Sequence, residues 1–183
     1  MGGLVLGQKN HIRGLLLVAL FAALTAMGAY LRIPLGYSSV TFQFFFCAMA
    51  GYLLGPWLGA ASLAVYVLLG LMGLPVFTEG GGLTYIARPG FGFLLGLIPA
   101  AFVIGLLCRK RPRSISRRIL AAGLGLIALY AVGLPWFCLA LQSKISWEIA
   151  LSCLLFLPFD LVKLAFALFL SRRMEGRIGE LHF

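Results

Sequence analysis

One carboxylate and one ammonium stand inside an otherwise apolar run. Asp160 and Lys163 lie between Ile149 and Leu170, in the stretch Leu157-Pro158-Phe159-Asp160-Leu161-Val162-Lys163-Leu164-Ala165. Three residues apart, they share one face of a helix, in line with Phe156 and Ala167. A charge near the middle of a bilayer costs roughly 2.5–3.5 kcal/mol even on the lenient insertion scale. Two such charges must answer to each other, to a partner helix or to a ligand. Pro158, just before them, is expected to loosen the turn and free backbone groups toward a cavity. Two readings stay open: an ion pair that glues a bundle, or the centre of a ligand pocket walled by Phe156 or Phe159. Intramembrane ionisable residues are functional by default.

A second group of chemically useful residues lies between Pro75 and Pro89. It holds Glu79, Gly80, Gly81, Gly82, Tyr85 and Arg88. The glycines let backbone N–H groups approach a ligand closely. Tyr85 offers a hydroxyl and a ring, and Arg88 a fork for a carboxylate. The alternative is an outer loop that touches nothing. Phosphate cradling is disfavoured, because the chain has no G-x-x-x-x-G-K-[ST]. No residue is expected to be catalytic. An intramembrane enzyme such as a lipid transferase would need clustered acids, histidines or a metal, and the spans offer only Asp160 and Lys163.

These residues need apolar elements to hold them, and the composition supplies little else. Of 183 residues 62% are hydrophobic and 11% charged, with a mean hydropathy of +1.03, where a soluble domain is about 25% charged. The expectation is an all-α membrane protein, residues 1–183 forming a single six-span helical bundle. The spans fall near 14–31, 38–54, 57–74, 91–108, 119–141 and 149–170, each close to the roughly 20 residues that cross the hydrocarbon. The first run, after Lys9 and Arg13, also has features of a cleaved signal peptide, but its length and the later topology favour a span.

The net charge of +10 is unevenly placed. The N-terminal lead, the loop after the fourth span and the C-terminus hold Lys9, Arg13, Arg109, Lys110, Arg111, Arg113, Arg117, Arg118, Arg172, Arg173 and Arg177. The opposite side holds Arg32, Arg88 and Lys144. By the positive-inside rule both termini are cytoplasmic, and the basic runs are topology signals with no nucleic-acid partner expected. No two of the four cysteines form a C-x-x-C pair, and the histidines, His11 and His182, lie near the ends. Neither a metal site nor a cofactor is expected. Ala19, Ala22, Ala23 and Ala26 in the first span, and Gly51, Gly55 and Gly59 across the second turn, are small residues at four-residue spacing that allow close helix contact.

Several stretches together resemble the BioY family. They are Gly73-Leu74-Pro75-Val76-Phe77 with Gly80-Gly81-Gly82-Leu83-Thr84-Tyr85, then Gly92-Phe93-Leu94-Leu95-Gly96, with Ala19-Leu20-Phe21-Ala22-Ala23-Leu24-Thr25-Ala26 before them and Pro158-Phe159-Asp160-Leu161-Val162-Lys163 after. The resemblance runs from about Leu15 to Leu170. It implies a biotin-binding S component of an energy-coupling-factor transporter in a bacterial cell membrane, partnered by a transmembrane coupling protein and two cytoplasmic ATPases. It further implies that Ala19, Ala22, Ala23 and Ala26 meet the coupling protein, and that Asp160, Lys163 and Tyr85 contact the ligand. Glu79 and Arg88 depart from the family's pattern, where uncharged residues are common. An S component for another vitamin remains the nearest rival.

Overall fold

The computed structural model describes the backbone of residues 2–35, 38–108, 114–141 and 147–178, and side chains over 11–32, 40–108, 114–141 and 157–174. Among the described residues there are five α-helices: α1 (Gly2–Tyr30), α2 (Gln43–Leu71), α3 (Phe91–Cys108), α4 (Ile115–Ala140) and α5 (Trp147–Ile178). A hairpin of β1 (Arg32–Leu35) and β2 (Ser38–Thr41) joins α1 to α2, antiparallel, with Arg32 opposite Thr41 and Leu35 opposite Ser38. A short 3₁₀ turn, Leu83–Ala87, precedes α3.

Four of the helices are long and apolar enough to cross a membrane: His11–Tyr30 of α1, then α2, α3 and α4. Helix α2 has 29 residues, about 43 Å at 1.5 Å per residue, which exceeds a hydrocarbon core of about 30 Å. It is not one rod. Gly55 has φ +80° and ψ −171°, outside helical space, and Pro56 follows without an N–H to give. The chain therefore breaks at the expected Gly55-Pro56 turn, inside one long apolar helix.

Other boundaries move. The second span was expected from residue 38, but Ser38–Thr41 pair with Arg32–Leu35 as a strand and the helix starts at Gln43. Ile33, Val40 and Thr41 are β-branched, which favours the pleated ladder over a first helical turn. The third span stops at Leu71 rather than 74. Gly73 (φ +102°) turns the chain just beyond it and Pro75 follows. Helix α4 begins earlier than expected, at Ile115, where Ser114 caps it by accepting from the Arg117 N–H at 3.3 Å.

Glycines set how closely the helices approach. A Cβ added at Gly105 of α3 would lie 2.4 Å from both Gly55 C and Pro56 N, so α3 rests on the backbone of the α2 break. A Cβ added at Gly51 would lie 2.8 Å from Ala101 O and 2.9 Å from Ile104 of α3. The small residues of α1 divide. Ala22 is buried and Ala26 half-buried against the core, whereas Ala19 and Ala23 are exposed. At 100° per residue the four alanines share one arc of about 100°, with Ala22 and Ala26 on its buried edge and Ala19 and Ala23 on its exposed edge.

One expected loop charge lies inside. Arg118, counted above as a topology signal, is 2% exposed. It donates from Nη1 to Ser171 Oγ of α5 at 3.2 Å, and its guanidinium lies 5.9 Å from the centre of the Tyr52 ring of α2. The Tyr52 hydroxyl donates to Arg118 O at 3.1 Å. Arg118 thus ties α2, α4 and α5 at the end of the bundle away from the hairpin.

Candidate functional site

A cavity of about 340 Å³ opens among α2, the segment after it, α3, α4 and α5, within the usual range for small-molecule sites. Helix α5 presents one buried face to the bundle: Asp160, Lys163, Leu164, Ala167 and Ser171, the spacing of a single helical stripe. Asp160 and Lys163 both line the cavity while being only 7% and 6% exposed.

The two charges answer to each other, one of the outcomes left open by their spacing. Lys163 Nζ donates to Asp160 Oδ1 at 2.8 Å. The second carboxylate oxygen, Oδ2, accepts from the Tyr130 hydroxyl of α4 at 3.0 Å. Each carboxylate oxygen has two acceptor positions and an ammonium has three donors. The pair can therefore hold itself together and still accept from and donate to a bound group. Tyr130 is in turn fixed by the Phe93 ring of α3, edge-on at 5.7 Å.

Not every expected site residue reaches this cavity. Phe159 is 40% exposed and does not line it. One position from Asp160 on a helix, its side chain points about 100° away. The side chain of Phe156 lies outside the described residues. The aromatic and apolar wall comes instead from Phe44, Phe93, Leu97, Leu129 and the ring of Tyr130. Gly81 and Gly82 are also outside the lining. A Cβ at Gly81 would sit 2.1 Å from Leu74 O, and the Gly82 N–H donates to Gly70 O at 2.7 Å. These glycines fold the segment back onto the end of α2, and the Gly82 N–H is spent there.

Tyr85, Glu79 and Arg88 do line the cavity. Tyr85 is buried beside Phe77, ring centres 4.7 Å apart. Burial pushes its phenol above the ordinary value, partly offset by hydrogen bonding to Thr78, so it stays a neutral donor near pH 7. Arg88 Nη1 stands 3.2 Å from Glu79 Oε2. A polar string braces the same rim. Thr41 Oγ1 donates to Gln43 Oε1 at 2.7 Å, Gln43 Nε2 to the Tyr66 hydroxyl at 2.6 Å, and that hydroxyl to Val76 O at 3.2 Å. The Tyr30 hydroxyl at the end of α1 donates to Pro75 O. Helix ends, hairpin and segment are thereby linked around the opening.

The BioY family model matches residues 6–180. The chain belongs to the BioY family. It is 44% identical over 146 residues to a probable biotin transporter BioY of Lysinibacillus sphaericus, covering 77% of this chain and 74% of that one. It is 39% identical over 166 residues to the biotin transporter BioY of Thermotoga maritima, covering 90% and 96%. A crystal structure of the S-component for biotin from an ECF-type ABC transporter superposes with a TM-score of 0.82 at 27% identity, covering 92% and 93% of the two chains. This BioY-family chain is accordingly a multi-pass membrane protein of the transporter kind.

Among the cavity residues, Tyr130, Gln43 and Phe93 were not singled out in the sequence. In an apolar span a lone tyrosine reads as filler until its neighbour across the bundle is known. Tyr130→Phe keeps the ring against Phe93 and removes one donor from a buried carboxylate. Hydrogen bonds to charged groups contribute about 1.5–3 kcal/mol, so thermal unfolding in detergent should shift downward by that free energy, with the cavity wall otherwise intact.

Proposed function

We propose that this chain is the high-affinity biotin-binding S component of an ECF-type vitamin uptake transporter in a bacterial cell membrane. The observation that carries the reading is the buried Asp160–Lys163 pair, braced by Tyr130, at the wall of a cavity of small-molecule size. Biotin's ureido ring carries two N–H donors and one carbonyl. Asp160 accepts from the N–H groups and Lys163 donates to the carbonyl. Phe44, Phe93 and Leu97 face the apolar bicycle, and the valerate carboxylate reaches toward Arg88 at the rim.

In this reading the bundle has six spans, the two halves of α2 counting separately, with both termini cytoplasmic and the hairpin and residues 72–90 outside. The charge asymmetry of the sequence supports that orientation. Biotin is captured from outside, and the segment carrying Tyr85 closes over it. A transmembrane coupling protein and two cytoplasmic ATPases then drive release inward. The split of the α1 alanines favours Ala19 and Ala23 as the outward-facing contact for the coupling protein, with Ala22 and Ala26 serving the bundle.

The test is equilibrium binding of labelled biotin to the detergent-purified chain, with thiamine and riboflavin as competitors. Saturable, stoichiometric binding at nanomolar concentration, undisturbed by either competitor, is the expected result. Well-folded protein that ignores biotin and binds one of the competitors would assign the chain to another vitamin.

A further inference from the structure

We infer that Glu79 competes with the ligand's carboxylate for the Arg88 guanidinium, so that the Glu79–Arg88 pair sets how strongly an anionic tail is selected. This rests on the biotin reading above. Both side chains line the cavity and stand 3.2 Å apart. They are 48% and 60% exposed, in contrast to the buried pair on α5. Without ligand the Arg88 guanidinium is matched by a carboxylate from its own chain. A carboxylate arriving from the ligand meets the same fork and the same negative charge beside it. It must either displace Glu79 or share the guanidinium with it, and like charges side by side repel. In both cases Glu79 weakens binding of an anion and leaves a neutral tail untouched.

The exposure of the pair decides the size of the effect. An ion pair in contact with water is a weak bond, so the exchange is easy and the competition mild. Removing it should tighten anion binding by a factor of about two to five, the range an exposed pair spans. Glu79 and Arg88 also flank Tyr85 on the same segment. Partner exchange at Arg88 therefore happens on the part of the chain that covers the cavity.

The experiment measures dissociation constants of biotin and of biotinamide, whose tail is neutral, for wild type, Glu79→Gln, Glu79→Asp and Arg88→Gln. Glu79→Gln should tighten biotin by that factor and leave biotinamide unchanged. Glu79→Asp should stay near wild type, and Arg88→Gln should erase the preference for biotin over biotinamide. Weaker biotin binding by Glu79→Gln would mean that Glu79 positions Arg88, and an equal change for both ligands would mean a general effect on the segment. Either result overturns the inference while leaving the biotin reading intact. Wild-type protein that binds neither ligand overturns both.

Discussion

Lys163→Met should abolish high-affinity binding and lower stability by about 3–5 kcal/mol, the usual cost of stranding one half of a buried ion pair. Asp160 is 7% exposed. Without Lys163 it keeps only the Tyr130 hydroxyl, a neutral donor, among the contacts described. A buried carboxylate so placed either holds its charge at high cost or takes up a proton. In both cases the Lys163 donor that faces the cavity is lost. The double variant Asp160→Asn/Lys163→Met removes both charges and keeps the shape. Its stability should return most of the way to wild type, because a neutral pair needs no counter-charge. Its affinity should not return. Thermal unfolding and biotin binding measured on the same samples separate the two effects. A double variant that binds biotin like wild type would make the pair glue rather than site.

Gly105→Ala should destabilise the bundle by about 3 kcal/mol or more, beyond the range of ordinary overpacking. The added methyl would lie 2.4 Å from Gly55 C and Pro56 N. These are backbone atoms at a break that is already committed to one geometry, so nothing there can rotate aside. Helix α3 must withdraw, and it carries Phe93, Leu94 and Leu97 of the cavity wall. Lower yield of monodisperse protein and a depressed unfolding temperature are the expected readouts. Gly123→Ala is the control, since a Cβ there meets nothing within 4 Å. Equal behaviour of the two variants would show that the close approach of α3 to the α2 break is not tight.

What the chain displays openly is its polarity, and the site was legible to the extent that polarity marked it. Asp160 and Lys163 could be placed on one face, with a pocket as one of two readings, because charge in an apolar span admits few explanations. Helix ends were legible where glycine and proline punctuate the chain, as at Gly55-Pro56 and Gly73. The orientation of each helix about its axis was not. Lipid and core are equally apolar, so α3 carries no contrast between its buried Leu94 and its exposed Leu106. For the same reason Phe159 read as a wall residue and Tyr130 did not. Arg118 was misread for the opposite reason: its charge looked like a loop signal, and only Ser171 and Tyr52 across the bundle explain its burial. The hairpin was hidden because Val40 and Thr41 adjoin an apolar run that looks continuous.

The burial of the α5 pair also bears on how the protein is made. A helix entering the bilayer alone with two ionised side chains would face a penalty of about 5–7 kcal/mol at the membrane centre, eased only by their mutual contact. A group that relieves it, the Tyr130 hydroxyl on Asp160, belongs to α4, which also holds α5 through Arg118 and Ser171. Helix α4 precedes α5 in the chain and so leaves the ribosome first. Order of synthesis thus places a receptor for α5 in the membrane before α5 arrives, and the cavity is completed by the same event that lets α5 insert.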